Sequence, residues 1–259
     1  MSFAGKAVLV TGSTTGIGEA CARLFAESGA KVMVSGRRSV AGHAVVEAIR
    51  AAGGDAQFAA ADLRAAGACE RLVGDTVERL GGLDVLVNNA GILYTANALD
   101  TSDEQWLDTM AVNVTALFYL SRAAVKHMKA AGGGAIVNVA SEWGLNGEAN
   151  HVAYCASKGA VVQITRCMAL DHARDHIRVN SVCPGEIHTR MVDDILAKRG
   201  GNMAEQLREL AAGIPLRRLA HPIEVARCVH FLASDLASYV TGTNLSVDGG
   251  NDATAGPYP

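Results

Sequence analysis

The short run Ala7-Val8-Leu9-Val10 passes directly into TGSTTGIG and then into an apolar-striped segment over 17–28. Few folds accommodate that order. A short apolar run closed by glycine reads as a buried strand, and Gly29 followed by 31–35 reads as a helix end and a second strand. Strand, glycine turn, helix, strand is the unit that sets a dinucleotide pyrophosphate on a helix N-terminus. Gly12 permits the tight turn, Gly16 lets the backbone approach phosphate, and Gly18 lets helix and strand pack closely. The spacing is G-x-x-x-G-x-G rather than G-x-G-x-x-G, and glycines that serve packing alone are the competing explanation.

The alternation then repeats. Helices are predicted over 40–52, 65–80, 103–129, 154–173, 191–211 and 223–232. Between and after them lie strands over 57–61, 84–88, 135–140, 178–182 and 244–247. This is the pattern of an α/β chain: a doubly wound, seven-stranded parallel sheet with helices on both faces and right-handed crossovers. Twenty-eight glycines against five prolines fit many strand-to-helix turns. With no linker and no internal repeat, residues 1–259 are expected to form one domain. In such sheets a ligand lies beyond the carboxyl ends of the strands, and every chemistry-bearing motif here falls just after a predicted strand.

The motif with most chemical content is SEWGLNGEANHVAYCASK, residues 141–158. Tyr154 and Lys158 are four apart and share a helix face. A phenol titrates near ~10, a poor base at neutral pH, and an ammonium beside it favours the phenolate. A shift of ~3 units needs about 4 kcal/mol, within reach of two nearby cations, one of them a nicotinamide ring, in a partly dry cleft. Ser141 closes an apolar run and can hydrogen-bond the reacting oxygen. Taken alone, Tyr-x-x-x-Lys is equally a chance pairing of two common residues, so the rest of the chain decides.

Several classes are excluded on composition. A net charge of −3 without a basic run gives no case for nucleic acid or an anionic membrane. No apolar segment reaches the ~18 residues of a membrane span, and MSFAGKAVLVTG lacks a signal peptide's core and cleavage site. Six scattered cysteines without a C-x-x-C pair fit reduced thiols in the cytoplasm, and no tight His/Asp/Glu cluster suggests a metal.

Thr11-Gly12-x-x-x-Gly16-Ile17-Gly18, Asn88-Asn89-Ala90-Gly91, Asn113, Ser141, Tyr154-x-x-x-Lys158 and Pro184-Gly185 followed by Thr189 occur in this order across nearly the whole chain. Together they resemble the short-chain dehydrogenase/reductase family, in its common form of this length. The resemblance implies a Rossmann-type domain and an oxidoreductase moving a hydride between NADP(H) or NAD(H) and a secondary alcohol or ketone. Tyr154 would be the general acid/base, Lys158 would depress its pKa and hold the nicotinamide ribose, Ser141 would orient the substrate oxygen, and Asn113 would position a water linking Lys158 to solvent. Ser13, Thr15 and Ile17 would join Gly12, Gly16 and Gly18 at the cofactor, with Asn89, Ala90, Gly91, Pro184 and Gly185 lining its cleft. Ile187 and Thr189 would meet the carboxamide. Asp62, with Leu63 beside it, would accept from the adenine amine, while as a bare sequence feature it also reads as a helix N-cap.

An acidic residue after the second strand would bind both ribose hydroxyls and repel a 2′-phosphate. Here the sequence is Ser35-Gly36-Arg37-Arg38, which favours NADP(H) through forked contacts from Arg37, with NAD(H) the alternative because Thr15 is neutral. Glu142, Trp143, Leu93 and His151 are expected around the substrate; a carboxylate there suits a polyol, sugar or other polar alcohol, unless Glu142 points to solvent. Residues 186–212, with Gly200-Gly201 inside, read as a lid. The resemblance further implies a homodimer or homotetramer paired through the two long helices, the tail 251–259 lying on a neighbouring chain. Alternative activities on the same scaffold are 3-oxoacyl-carrier-protein reduction and sugar or polyol oxidation; a different class is a cofactor-binding regulator without turnover.

Overall fold

A computed structural model describes residues 1–253, apart from the side chains of Ala66 and Lys198. The expected tail contact therefore lies, for 254–259, outside the described residues. Strands β1 (Ala7–Val10), β2 (Lys31–Gly36), β3 (Asp55–Ala60), β4 (Val85–Asn88), β5 (Gly134–Val139), β6 (Ile177–Pro184) and β7 (Asn244–Val247) form one parallel sheet, ordered β3-β2-β1-β4-β5-β6-β7. Between them run α1 (Gly16–Glu27), α2 (Ser39–Ala51), α3 (Ala66–Leu80), α4 (Asp103–Met110), α5 (Ala116–Ala131), α6 (Val152–His172), α7 (Arg190–Arg199), α8 (Met203–Gly213) and α9 (Pro222–Ala233).

Sequence dictates the layering. All four residues of β1 are buried, and alternation sends Val8 and Val10 to one face and Leu9 to the other. On the first face they meet Phe25 of α1, Val45 and Ile49 of α2 and Val229 of α9. On the second, Leu9 joins Leu72 of α3, Leu120 and Met128 of α5 and Met168 of α6. Because β1 pairs with both β2 and β4, connections leave it in opposite directions, and a cleft opens above its carboxyl end.

Two differences from expectation bear on the site. The helical stretch over 103–129 is not continuous: a π turn, Ala111–Thr115, separates α4 from α5, and it carries Asn113. Its composition is ordinary for an α-helix, so periodicity alone does not distinguish it. The segment over 191–211 is likewise two helices, α7 and α8, broken where Gly200 and Gly201 take φ of 72° and 90°. No helix among the described residues is long and apolar enough to cross a membrane.

Candidate active site

The glycine turn is tied to the loop after β4. Thr11 Oγ1 accepts from the backbone N–H of Asn89 and Ala90 at 3.1 and 3.2 Å, and Asn89 Nδ2 donates to the carbonyls of Thr11 and Gly12 at 3.0 Å. Gly12 and Gly16 take φ of 61° and 60°, a region only glycine enters freely. A Cβ on Gly18 would stand 2.5 Å from the Gly12 carbonyl oxygen and closer still to Asn89, so the third glycine is a packing requirement. The resulting N-terminus of α1 faces open space lined by backbone, which fits a dinucleotide phosphate.

The cleft has two lobes of about 230 Å³ each, joined across Gly12, Thr15, Ala90 and Gly91. The first is lined by Gly36, Arg37, Arg38, Asp62 and Leu63, all expected there, and by Thr14, Ala61, Ile92 and Val112, which were not singled out in the sequence. Arg37 and Arg38 are exposed at its rim, and Arg38 Nη2 lies 3.5 Å from Thr14 Oγ1. Asp62 is held by Arg64 in a forked contact, which keeps its carboxyl below the usual range. Ser13 stands apart: it is fully buried beneath the turn, its hydroxyl donating to the Val10 carbonyl at 2.6 Å and accepting from the Ser35 amide at 2.9 Å. Its side chain joins β1 to β2 and does not line the cleft.

The second lobe brings together Gly16, Ile17, Asn89, Ser141, Tyr154, Lys158, Pro184, Gly185, Ile187 and Thr189, drawn from the ends of β4, β5 and β6, from helices α1 and α6, and from the loop before α7. Met191 and Val192 of α7, within the segment expected as a lid, also line it. Ser141 follows β5 and caps a 3₁₀ turn, Glu142–Gly144, accepting from the Trp143 amide at 3.2 Å. Tyr154 lies in the first turn of α6, with Lys158 one turn later.

Electrostatics at this pair depart from expectation. Burial pushes the Tyr154 phenol well up; a hydrogen bond from Ser141 opposes this, while nearby Cys155, Glu186 and Glu142 add to it. Lys158, itself 4 % exposed, is pushed down to about 8 by burial, and its Nζ donates to the Val139 carbonyl at 2.8 Å. The ammonium does not offset the desolvation of the phenol. Asn113 is buried beneath: its Oδ1 accepts from Ile92 N–H at 2.8 Å, and its Nδ2 donates to the Ile92 carbonyl at 2.9 Å and to Ser157 Oγ at 3.0 Å. Gly91 brings Asn113 and Lys158 close, since a Cβ there would stand 3.4 Å from Asn113 Oδ1 and 3.6 Å from Lys158 Nζ.

Beside the tyrosine, Trp143 packs edge-on to Tyr154 at 5.9 Å and over His151 at 4.6 Å. Glu142 does not point to bulk solvent: it is 5 % exposed, and burial pushes its carboxyl up to about 7. Glu142, Trp143 and His151 share a cavity of about 370 Å³ with Glu148, Glu186, Arg199 and Glu209. Leu93 is half-buried on the loop after β4 and does not line it. Glu186 was missed in the sequence; its signal is its place immediately after Pro184-Gly185.

Comparison with known proteins follows this geometry. A family model described as enoyl-(acyl carrier protein) reductase matches residues 12–252. An uncharacterized oxidoreductase of Thermotoga maritima is 44% identical over 98% of this chain and 100% of its own. Cyclopentanol dehydrogenase of Comamonas testosteroni is 42% identical, covering 96% of this chain and 97% of that one. A crystal structure of a putative NAD(P)-dependent gluconate 5-dehydrogenase from Beutenbergia cavernae, with NADP bound at low occupancy, superposes with a TM-score of 0.91 at 38% identity, over 98% and 99% of the two chains.

Proposed function

Because the chain belongs to the short-chain dehydrogenase/reductase family, it is an NAD(P)-dependent oxidoreductase of alcohol and ketone substrates, and we propose that Tyr154 exchanges the proton in that reaction. One observation supports this most: Ser141, Tyr154 and Lys158 line the same lobe as Gly16 and Thr189, at the carboxyl ends of the strands. A bound nicotinamide supplies or takes up the hydride. The residues of the chain do the rest. Ser141 and the Tyr154 hydroxyl hold the substrate oxygen, and in reduction the phenol donates its proton to that oxygen. A phenol held above its ordinary pKa is fully protonated at neutral pH, the form reduction needs. In oxidation the phenol must first ionise, with Lys158 as the local cation and Asn113 positioning a water that links Lys158 to solvent.

NADP(H) is the favoured cofactor, on the strength of Gly36, Arg37 and Arg38 at the adenine-side rim, with NAD(H) the alternative. We further read residues 1–259 as one domain, 186–212 as its lid, and α4–α5 and α6, which expose Leu107, Phe118 and Leu170, as helices paired in a homodimer or homotetramer. A cytoplasmic location rests on cysteine usage. Among activities, oxidation of a sugar, polyol or other polar alcohol is favoured over 3-oxoacyl-carrier-protein reduction by the polar lining around Glu142.

The test is absorbance loss of NADPH and NADH over a panel of ketones. Turnover that vanishes in Tyr154→Phe supports the assignment. Cofactor binding without turnover of any substrate, and without effect of Tyr154→Phe, would make the protein a regulator instead.

A further inference from the structure

The cavity beside Tyr154 carries an imbalance of charge. Two successive strand ends build it: Ser141 and Gly185 line the tyrosine lobe, and the residues after them, Glu142 and Glu186, line the neighbouring cavity. Glu148 and Glu209 add two more carboxylates, against which the described lining sets only Arg199 of α7. Arg199 acts at Glu186, not at Glu142.

Glu142 shows what is missing. It is 5 % exposed, and its one side-chain hydrogen bond is a long one, 3.4 Å from Asn251 Nδ2 to Oε1. Oε2 meets no donor among the described residues. Oε2 is left on the cavity wall, and a carboxylate this little exposed is ordinarily paired with a cation or a set of donors. The Trp143–His151 stack lines the same cavity, and an indole face attracts a cation within about 6 Å. Among the described residues no group of three His, Cys, Asp or Glu is placed to hold a metal ion, so an organic cation fits the site better.

We infer that this cavity seats a protonated amine of the substrate, so that the enzyme prefers amino alcohols and amino ketones over neutral polyols and rejects hydroxy acids. This rests on the oxidoreductase reading and narrows its substrate. The ammonium would lie against Glu142 and Glu186 with Trp143 beside it, while the carbinol carbon faces Ser141 and Tyr154. It would also help the chemistry, because Glu142 and Glu186 both disfavour ionisation of Tyr154 and a cation between them cancels that field.

The test uses three secondary alcohols differing at one end: isopropanolamine, propylene glycol and lactate, each with homologues longer by one and two methylenes. Oxidation is followed with NADP⁺ and NAD⁺. The expected order of kcat/KM is ammonium, then hydroxyl, then carboxylate, with roughly tenfold or more between the first two at low salt, shrinking as salt rises. In Glu142→Gln and Glu186→Gln the ammonium-to-hydroxyl ratio falls towards one. Equal rates for amine and diol, unchanged by either variant, overturn the inference and leave the oxidoreductase assignment standing. If no alcohol is oxidised, that assignment fails, and calorimetry of the amine series with the full-length protein decides the inference: binding lost in Glu142→Gln supports it, and no binding overturns it.

Discussion

Lys158 lies over the ring of Tyr154, not against its hydroxyl: Nζ stands 5.5 Å from the ring centroid while donating to the Val139 carbonyl. Four-residue spacing on α6 fixes the shared face, and the end of β5 takes up the ammonium. Its effect on the phenol is therefore a field effect in a dry site, opposed by the burial that raises both groups' cost of ionisation.

The two directions of reaction should consequently respond differently to pH. Reduction uses the protonated phenol and should hold its rate from about pH 6 to 8, whereas oxidation should climb through that range and beyond, because only the minor phenolate accepts a proton. Initial rates in both directions across pH check this. A flat oxidation profile would mean that proton transfer to Tyr154 does not limit the rate.

Asn113 should matter for folding as well as for turnover. It satisfies both the N–H and the carbonyl of Ile92 from within the π turn. Asn113→Ala strands those half-buried groups and should cost about 1–3 kcal/mol in urea unfolding. A loss of activity with unchanged stability would show that the Ile92 loop finds other partners.

Arg37→Asp should weaken NADPH binding by at least ~10-fold, about 1.4 kcal/mol, and weaken NADH binding far less. Fluorescence titration of each nucleotide measures it. Equal losses for both would show that the guanidinium does not read a 2′-phosphate.

Much of this architecture is legible in sequence because its causes are local. The glycine turn, the strands and the Tyr154–Lys158 pairing follow from neighbours within a few residues, and all seven strands fall within one residue of expectation except at the start of β3 and the end of β6, which differ by two. What sequence does not reveal depends on who meets whom. Ser13 turns inward because the Ser35 amide of β2 donates to its hydroxyl. Glu186 comes beside Glu142 because β5 and β6 are neighbours in the sheet, and Arg199 and Glu209 join them only once α7 and α8 fold over the strand ends. In the chain alone desolvation holds the phenol pKa up, which no spacing encodes.

Glu142 offers a stability test that needs no ligand. Its ordinary value is 4.5 and in the folded chain it titrates at about 7, raised first by burial and then by Glu186, Asp248 and Asp252. Between those values the folded chain keeps a proton the unfolded chain has released, so stability falls as pH rises through the window. The penalty is absent below the unfolded value and complete above the folded one, where it reaches roughly 3 kcal/mol. Glu142→Gln removes it. The variant should melt higher than the parent near pH ~8 and lose that advantage near pH ~4.5, as thermal unfolding at the two pH values would reveal. The same difference at both would mean that the carboxyl is ionised in the folded chain throughout, with a donor to hold it.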